Sequence, residues 1–199
     1  MNEEGVIKFN CNWIKEAPLS VEHIAEINAW RDKLYKAGLI GENKDGIGYG
    51  NISCRFKQNT FIITGSGTGS LKKLGVEHYT KVTAYNFAAN TLTTAGPVKA
   101  SSESLTHAAL YESAKDVNAV FHIHHLALWK KLLIGGASTS KHIEYGTTAM
   151  AGEIIRLMNN PSIPEQKILA MGGHEEGILS FGKTTAEAGG IIWNWLGSL

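Results

Sequence analysis

Two cysteines, Cys11 and Cys54, are all that this 199-residue chain holds, and they do not form a Cys-x-x-Cys pair. Their scarcity argues against a thiolate zinc ribbon or a disulfide framework and suits a reducing compartment. No run of basic residues appears either: Lys plus Arg is 19 against 18 for Asp plus Glu, a formal charge of +1. Without a basic stripe the chain lacks the electrostatic footprint of a nucleic-acid binder, and none is expected as a partner. No apolar stretch approaches the length that spans a bilayer, so no membrane association is expected. The first residues, "MNEEGVIKFN", are acidic and polar rather than basic then apolar, which is not the pattern of a signal peptide. Repeats and low-complexity tracts are absent too. These exclusions leave one soluble domain over residues 1–199, long enough for a sizeable core, with the cytoplasm as its expected location.

Against this plain background the segment "AVFHIHH", residues 119–125, stands out. Small and branched apolar residues run into three histidines at the end of a strand. Side chains alternate along a strand, so His122 and His124 share one face while Ile123 and His125 take the other. A single imidazole at a strand end is more often a packed or solvated side chain. Two on one face, one pleat apart, can reach a common point, and neutral imidazole is the commonest metal ligand. A catalytic zinc site needs three protein ligands and an open position. His174 in "GGHEEG" is the natural third, because flanking glycines let backbone come close to an ion.

The remaining pattern is mixed. "SVEHIAEINAWRDKLYKAG" reads as an amphipathic helix capped by Ser20 and ended by Gly38. "NISCRF" and "TFIIT" form a hairpin across "KQN", and residues 81–95 form two more strands around "AAN". "SSESLTHAALYESA", "TTAMAGEIIRLMNN" (stopping before Pro161) and "TTAEAGGIIWNWL" are helical, while "KILAM" and "GILSFG" are short strands. Hairpins outnumber clean βαβ units, which favours an α/β or α+β arrangement with one sheet over a dinucleotide-binding unit.

Three further stretches gather polar groups: "GYGNIS" with Asn51, "TGSG" with Thr64 and Gly65, and "ASSES" with Ser101 and Ser102. Glycine-rich turns and a helix N-terminus present backbone N–H groups to anions, and hydroxyls add donors. Each alone is an ordinary loop or cap; together with a candidate metal pair they suggest a small phosphorylated substrate. Glu103 belongs to the first turn of the helix beside this cradle. There it is either a helix-dipole carboxylate, contributing a few tenths to one kcal/mol, or a general base beside a metal-bound oxygen. His107, four residues on, reads as structural support.

Taken in order, "GYGNISCRF", "FIITGSG", "SSESLTHAALY", "AVFHIHH" and "GHEEGILSFG" resemble successive signatures of the class II (zinc-dependent) aldolase and adducin family, its fuculose-phosphate aldolases in particular. The resemblance implies a three-layer α/β/α fold around a central mixed, largely antiparallel sheet, and a homotetramer with sites between subunits. It implies zinc, or another divalent transition metal, on His122, His124 and a later ligand taken as His174. Glu176 is the alternative if the following glycine sets the register. It implies acid/base chemistry at Glu103 and phosphate contacts at Asn51, Thr64, Gly65, Ser101 and Ser102. The activity it implies is lyase cleavage of a phosphorylated ketose to dihydroxyacetone phosphate and an aldehyde. Sister epimerases resemble the chain but carry Asp where Glu103 stands, and sister dehydratases commonly have Ser-Ala in place of Ser101-Ser102. A non-catalytic adducin-like module is the other alternative. Cupins also place His-x-His on a strand, but they need a nearby downstream Glu, and here the next acidic residue is Glu144.

Overall fold

The computed structural model describes residues 5–135 and 137–199; the polar start read as lacking a signal peptide falls largely on residues 1–4, outside the described ones. In chain order the elements are β1 (Asn10–Lys15), α1 (Val21–Lys36), a small ribbon of β2 (Gly41–Glu42) and β3 (Gly48–Tyr49), β4 (Asn51–Lys57) and β5 (Thr60–Thr64). A short 3-10 turn (Val76–His78) precedes β6 (Tyr79–Asn86) and β7 (Thr91–Gly96), followed by α2 (Ser104–Ser113), β8 (Ala119–His124) and α3 (Leu126–Ile134). The chain continues through α4 (Thr148–Met158), α5 (Ser162–Gln166), β9 (Ile168–Ala170), β10 (Gly177–Gly182) and α6 (Thr185–Leu196).

Eight strands form one sheet in the order β1-β7-β6-β5-β4-β8-β10-β9. Only the β1–β7 pair is parallel; all other neighbours are antiparallel. Helices α1 and α6 pack on each other and against β4, β8 and β10, whereas α2 pairs with α4 and reaches β6. The result is the expected three-layer α/β/α architecture around a mixed, mostly antiparallel sheet. Because both faces of β8 and β10 are covered, every residue of both strands is buried. That is why "AVFHIH" reads as an almost continuous apolar run rather than an alternating one.

Several elements were not visible in the sequence. β1 is an exposed edge strand whose polar-rich "NCNWIK" shows no apolar face; it is held by parallel pairing and by Trp13 Nε1 donating to Gly96 O at 2.9 Å. α3 begins straight after the histidines, with His125 as its N-cap accepting from Leu128 N at 3.1 Å. α5 is one short turn begun by Pro161. Glu103 also differs from expectation: helix α2 starts one residue later, and Glu103 is its N-cap position rather than part of the first turn. The cause is a tight turn in which Ser104 N and Ser104 Oγ both donate to Ser101 O, at 3.1 and 2.7 Å. Ser20 does precede α1, but its hydroxyl pairs with His23 Nδ1 instead of capping the backbone. Among the described residues no helix is long and apolar enough to cross a membrane.

Candidate metal centre and anion pocket

The middle of the sheet delivers the site. On β8, His122 and His124 project from the same face, and their Nε2 atoms stand 3.2 Å apart. Register places Asn51 of β4 on one side of His122 and Leu179 of β10 on the other. The connection from β9 to β10 then folds His174 over the pair. Its turn is closed by His174 N donating to Met171 O, Gly177 N to His174 O, and Met171 N to Gly177 O, at 2.8–3.0 Å. Gly177 eases this approach: a Cβ there would lie 3.0 Å from His174 Cγ and 3.1 Å from His122 Cε1, closer than a side chain normally sits. A side chain at 177 would press on both imidazoles.

His122, His124 and His174 are all buried, and one ligand atom from each falls within 4.8 Å of the others. His122 Nδ1 donates to Ile178 O at 3.2 Å, which leaves Nε2 as the lone-pair nitrogen turned to the cluster. Two ligand nitrogens on a tetrahedral zinc stand about 3.3 Å apart, given bonds near 2.0–2.1 Å. The 3.2 Å spacing therefore fits a divalent ion, and the three-imidazole donor set suits zinc among the transition metals. Tyr49 stacks on His124 (centroids 4.8 Å apart) and Tyr145 lies against His174 (4.5 Å), so both rings have their orientations packed in place. Glu176 is not part of this cluster; it sits at the loop's edge, half-buried, with φ at +66°.

Glu103 is the carboxylate of the site. It is 2% exposed, and neither oxygen receives a hydrogen bond among the described residues. His174 Nδ1 is 3.3 Å from Oε1, an ion-pair distance. Burial pushes this carboxyl up, but the neighbouring His122 imidazole and the His174 ring paired with it, with a smaller part from His107, more than reverse the effect and hold it at about 2. At neutral pH it is ionised, so it accepts a proton readily. His107 lies one turn behind, fully buried; burial and His122 push its imidazole down to about 3, and it is neutral. It belongs to an internal chain in which Ser53 Oγ contacts His107 Nδ1 at 2.7 Å and Tyr111 OH at 2.8 Å. Burial likewise lowers His124 well below the usual imidazole range, which leaves its lone pair available to a metal.

A pocket of about 380 Å³ opens beside the histidines. Asn51, Gly65, Ser101, Ser102, Glu103, His122 and His174 all line it, so most positions anticipated as phosphate contacts meet there. Thr64 does not line this pocket: it is buried behind, its hydroxyl accepting from Ile52 N at 3.2 Å. Gly67, Thr68 and Gly69 complete the cradle, an extension of "TGSG" that the glycine pattern itself signalled. A second, wider pocket, about 750 Å³, lies on the far side of Tyr145 and is bordered by His124, Asn43, Glu175 and Glu176. Tyr49 and Tyr145 border both pockets, and no local sequence signal marks them as site residues.

The structure is thus a three-layer α/β/α protein with a buried three-histidine cluster that could hold a divalent metal and a carboxylate beside it. The profile of the class II aldolase and adducin N-terminal domain family matches residues 34–193, and the chain belongs to that family. Among solved structures, an L-fuculose 1-phosphate aldolase superposes with a TM-score of 0.67 at 19% identity, over 91% of this chain and 84% of that one. A sugar-phosphate aldolase from Thermotoga maritima gives 0.65 at 16% identity, over 87% and 90%. A putative aldolase/epimerase/decarboxylase from Klebsiella pneumoniae gives 0.64 at 16%, over 87% and 84%. At these identities the likeness is one of fold. No curated protein matches the sequence significantly.

Proposed function

We propose that the chain is a metal-dependent lyase that cleaves a small phosphorylated ketose to dihydroxyacetone phosphate and an aldehyde. The observation that supports this reading is Glu103: an ionised, buried carboxylate at ion-pair distance from His174 Nδ1, beside three imidazoles that could hold one divalent ion. That single contact leaves most of the carboxylate's accepting capacity unused, and burying it so is costly. Proton transfer gives it a purpose.

In this reading His122, His124 and His174 hold the ion, which when bound supplies Lewis-acid polarisation of a substrate carbonyl. Hydroxyls of Ser101 and Ser102, the Asn51 amide and backbone N–H groups near Gly65 hold the phosphate and orient the chain of the sugar. Glu103 takes the proton of the hydroxyl on the carbon that becomes the aldehyde; the freed oxygen pair forms the aldehyde C=O, the carbon–carbon bond parts toward the polarised carbonyl, and Glu103 returns the proton to the carbon left next to that carbonyl. Tyr49 and Tyr145 wall the reacting end from water. The assembly, by family resemblance, is a homotetramer acting on a soluble metabolite.

The test is a screen of ketose 1-phosphates for release of dihydroxyacetone phosphate by zinc-loaded protein, with Glu103→Gln alongside. The variant keeps shape and metal but cannot take a proton. Turnover should fall by roughly 10²–10⁴ with metal content unchanged. Unchanged turnover at full metal would remove Glu103 from the chemistry. A wild type inactive on every phosphorylated sugar would favour a binding module of the adducin kind.

A further inference from the structure

The anion pocket contains no lysine or arginine among its described lining residues, and Glu103 adds a negative charge to it. A phosphate dianion would meet only hydroxyls, amides and backbone N–H groups on the side away from the metal. Yet a cation lies directly behind the wall. Arg31, on α1, is 1% exposed and is among the largest fully buried side chains of the described residues. Among the described residues no carboxylate stands within ion-pair distance of it. Nη2 donates to Thr68 O at 3.0 Å and Gly69 O at 3.1 Å, Nη1 has no hydrogen-bond partner, and the guanidinium lies 4.5 Å from the Tyr35 ring centre. A buried guanidinium without a contacting carboxylate is expensive to maintain, and although burial lowers its pKa, with Asp32 acting the other way from a distance, Arg rarely sheds its proton.

Two geometric facts tie this charge to the pocket. Arg31 and Thr64 meet Gly50, Asn51, Thr68 and Gly69 along one closely packed seam that leaves no room for water. Those last four residues also line the anion pocket, so a single layer of chain separates guanidinium from ligand space. In addition, C=O and the following N–H of a trans peptide point in opposite directions. Drawing the Thr68 carbonyl toward Arg31 turns the N–H of Gly69, a residue that lines the pocket, to the other side.

We infer that Arg31 is a positioning residue for phosphate: from beneath the 65–70 loop it fixes the loop's peptide orientation and supplies the positive charge that the pocket lining lacks. The inference rests on the cradle reading above and deepens it. It makes the pocket selective for a doubly charged phosphate monoester over a neutral sugar, because the charge acts through the wall without offering a direct contact to hydroxyls.

The experiment measures inorganic phosphate binding to the zinc-loaded protein by calorimetry for wild type, Arg31→Met and Arg31→Lys. Imidazole, an uncharged ligand that needs only the metal, is the control. Arg31→Met should weaken phosphate by about tenfold or more, as loss of a unit charge one wall away predicts, and leave imidazole unchanged; Arg31→Lys should recover part of the loss. Equal phosphate affinity in wild type and Arg31→Met overturns the inference alone, and is also what phosphate held only by the metal would give. A wild type that takes up no phosphate at millimolar concentration overturns the cradle reading and this inference with it. Should Arg31→Met fail to fold, the wild type decides: its Arg31 guanidinium NMR signals must shift on saturation with phosphate, and unmoved signals overturn the inference.

Discussion

Glu103, His107 and Gly177 are single residues whose chemistry can be tested one at a time. A Cβ at Gly177 would press on both His174 and His122, which would have to give by a few tenths of an ångström. Gly177→Ala should therefore keep the fold, read by circular dichroism, and weaken zinc by tenfold or more, read by competition with a chromophoric chelator. Zinc affinity equal to wild type would mean that the imidazoles rearrange freely. His107 makes a pH prediction. Its folded-state pKa is about 3 against an ordinary 6.5, so between those values the unfolded chain binds the additional proton. Stability then rises with pH across that window and is lost progressively as pH falls from 6.5 toward 3. Glu103, depressed from 4.5 to about 2, acts lower: its contribution is complete above 4.5 and lost as pH falls through 2. Urea midpoints of the protein at pH 7, 5.5 and 4.5 should decline in that order. His107→Gln, which can still bond Ser53, should flatten the decline. An unaltered slope in the variant would assign the acid sensitivity elsewhere.

At the scale of elements, the question raised by the imidazoles at 122, 124 and 125 divides cleanly. Alternation put His122 and His124 on one face and His125 on the other, and the structure gives the odd one a different task. His125 directly follows β8 and caps α3 through Leu128 N. His125→Ala should cost about 1 kcal/mol of stability, the usual worth of a lost N-cap. Zinc content should stay full, and His125→Asn should restore most of the loss. Zinc loss in His125→Ala would contradict the division of roles. Elsewhere, periodicity made α1, α4 and α6 legible, and hairpin chemistry made β4–β5 and β6–β7 legible. β1 escaped because an edge strand with mostly exposed residues has no apolar period to detect. α3 escaped because "LALWKKLLI" follows a strand without a glycine or proline to punctuate the change.

For the whole molecule, the family resemblance makes assembly the main expectation. Sedimentation at micromolar concentration should give a particle of about four times the 21.6 kDa subunit mass. A monomer alone would count against sites shared between subunits and would leave the two pockets as the complete binding surface.

The chemistry of the donor set could be read from local sequence: His-x-His on a strand, an acidic residue at a helix start, and glycine-rich turns that offer N–H groups. Such features depend on periodicity and backbone freedom within a few residues, so neighbouring letters suffice to express them. Their meeting place could not be read that way. His174 reaches His122 because β10 lies beside β8, and Asn51 stands next to His122 because β4 lies on β8's other edge. Tyr145 arrives from the segment before α4 and Arg31 from α1, beneath the 65–70 loop. Strand order and layer packing bring together residues far apart in the chain, through burial shared among many side chains rather than any local preference. The charge behind the anion pocket is accordingly a property of the packed molecule, since "AWRDK" by itself is only part of an amphipathic helix.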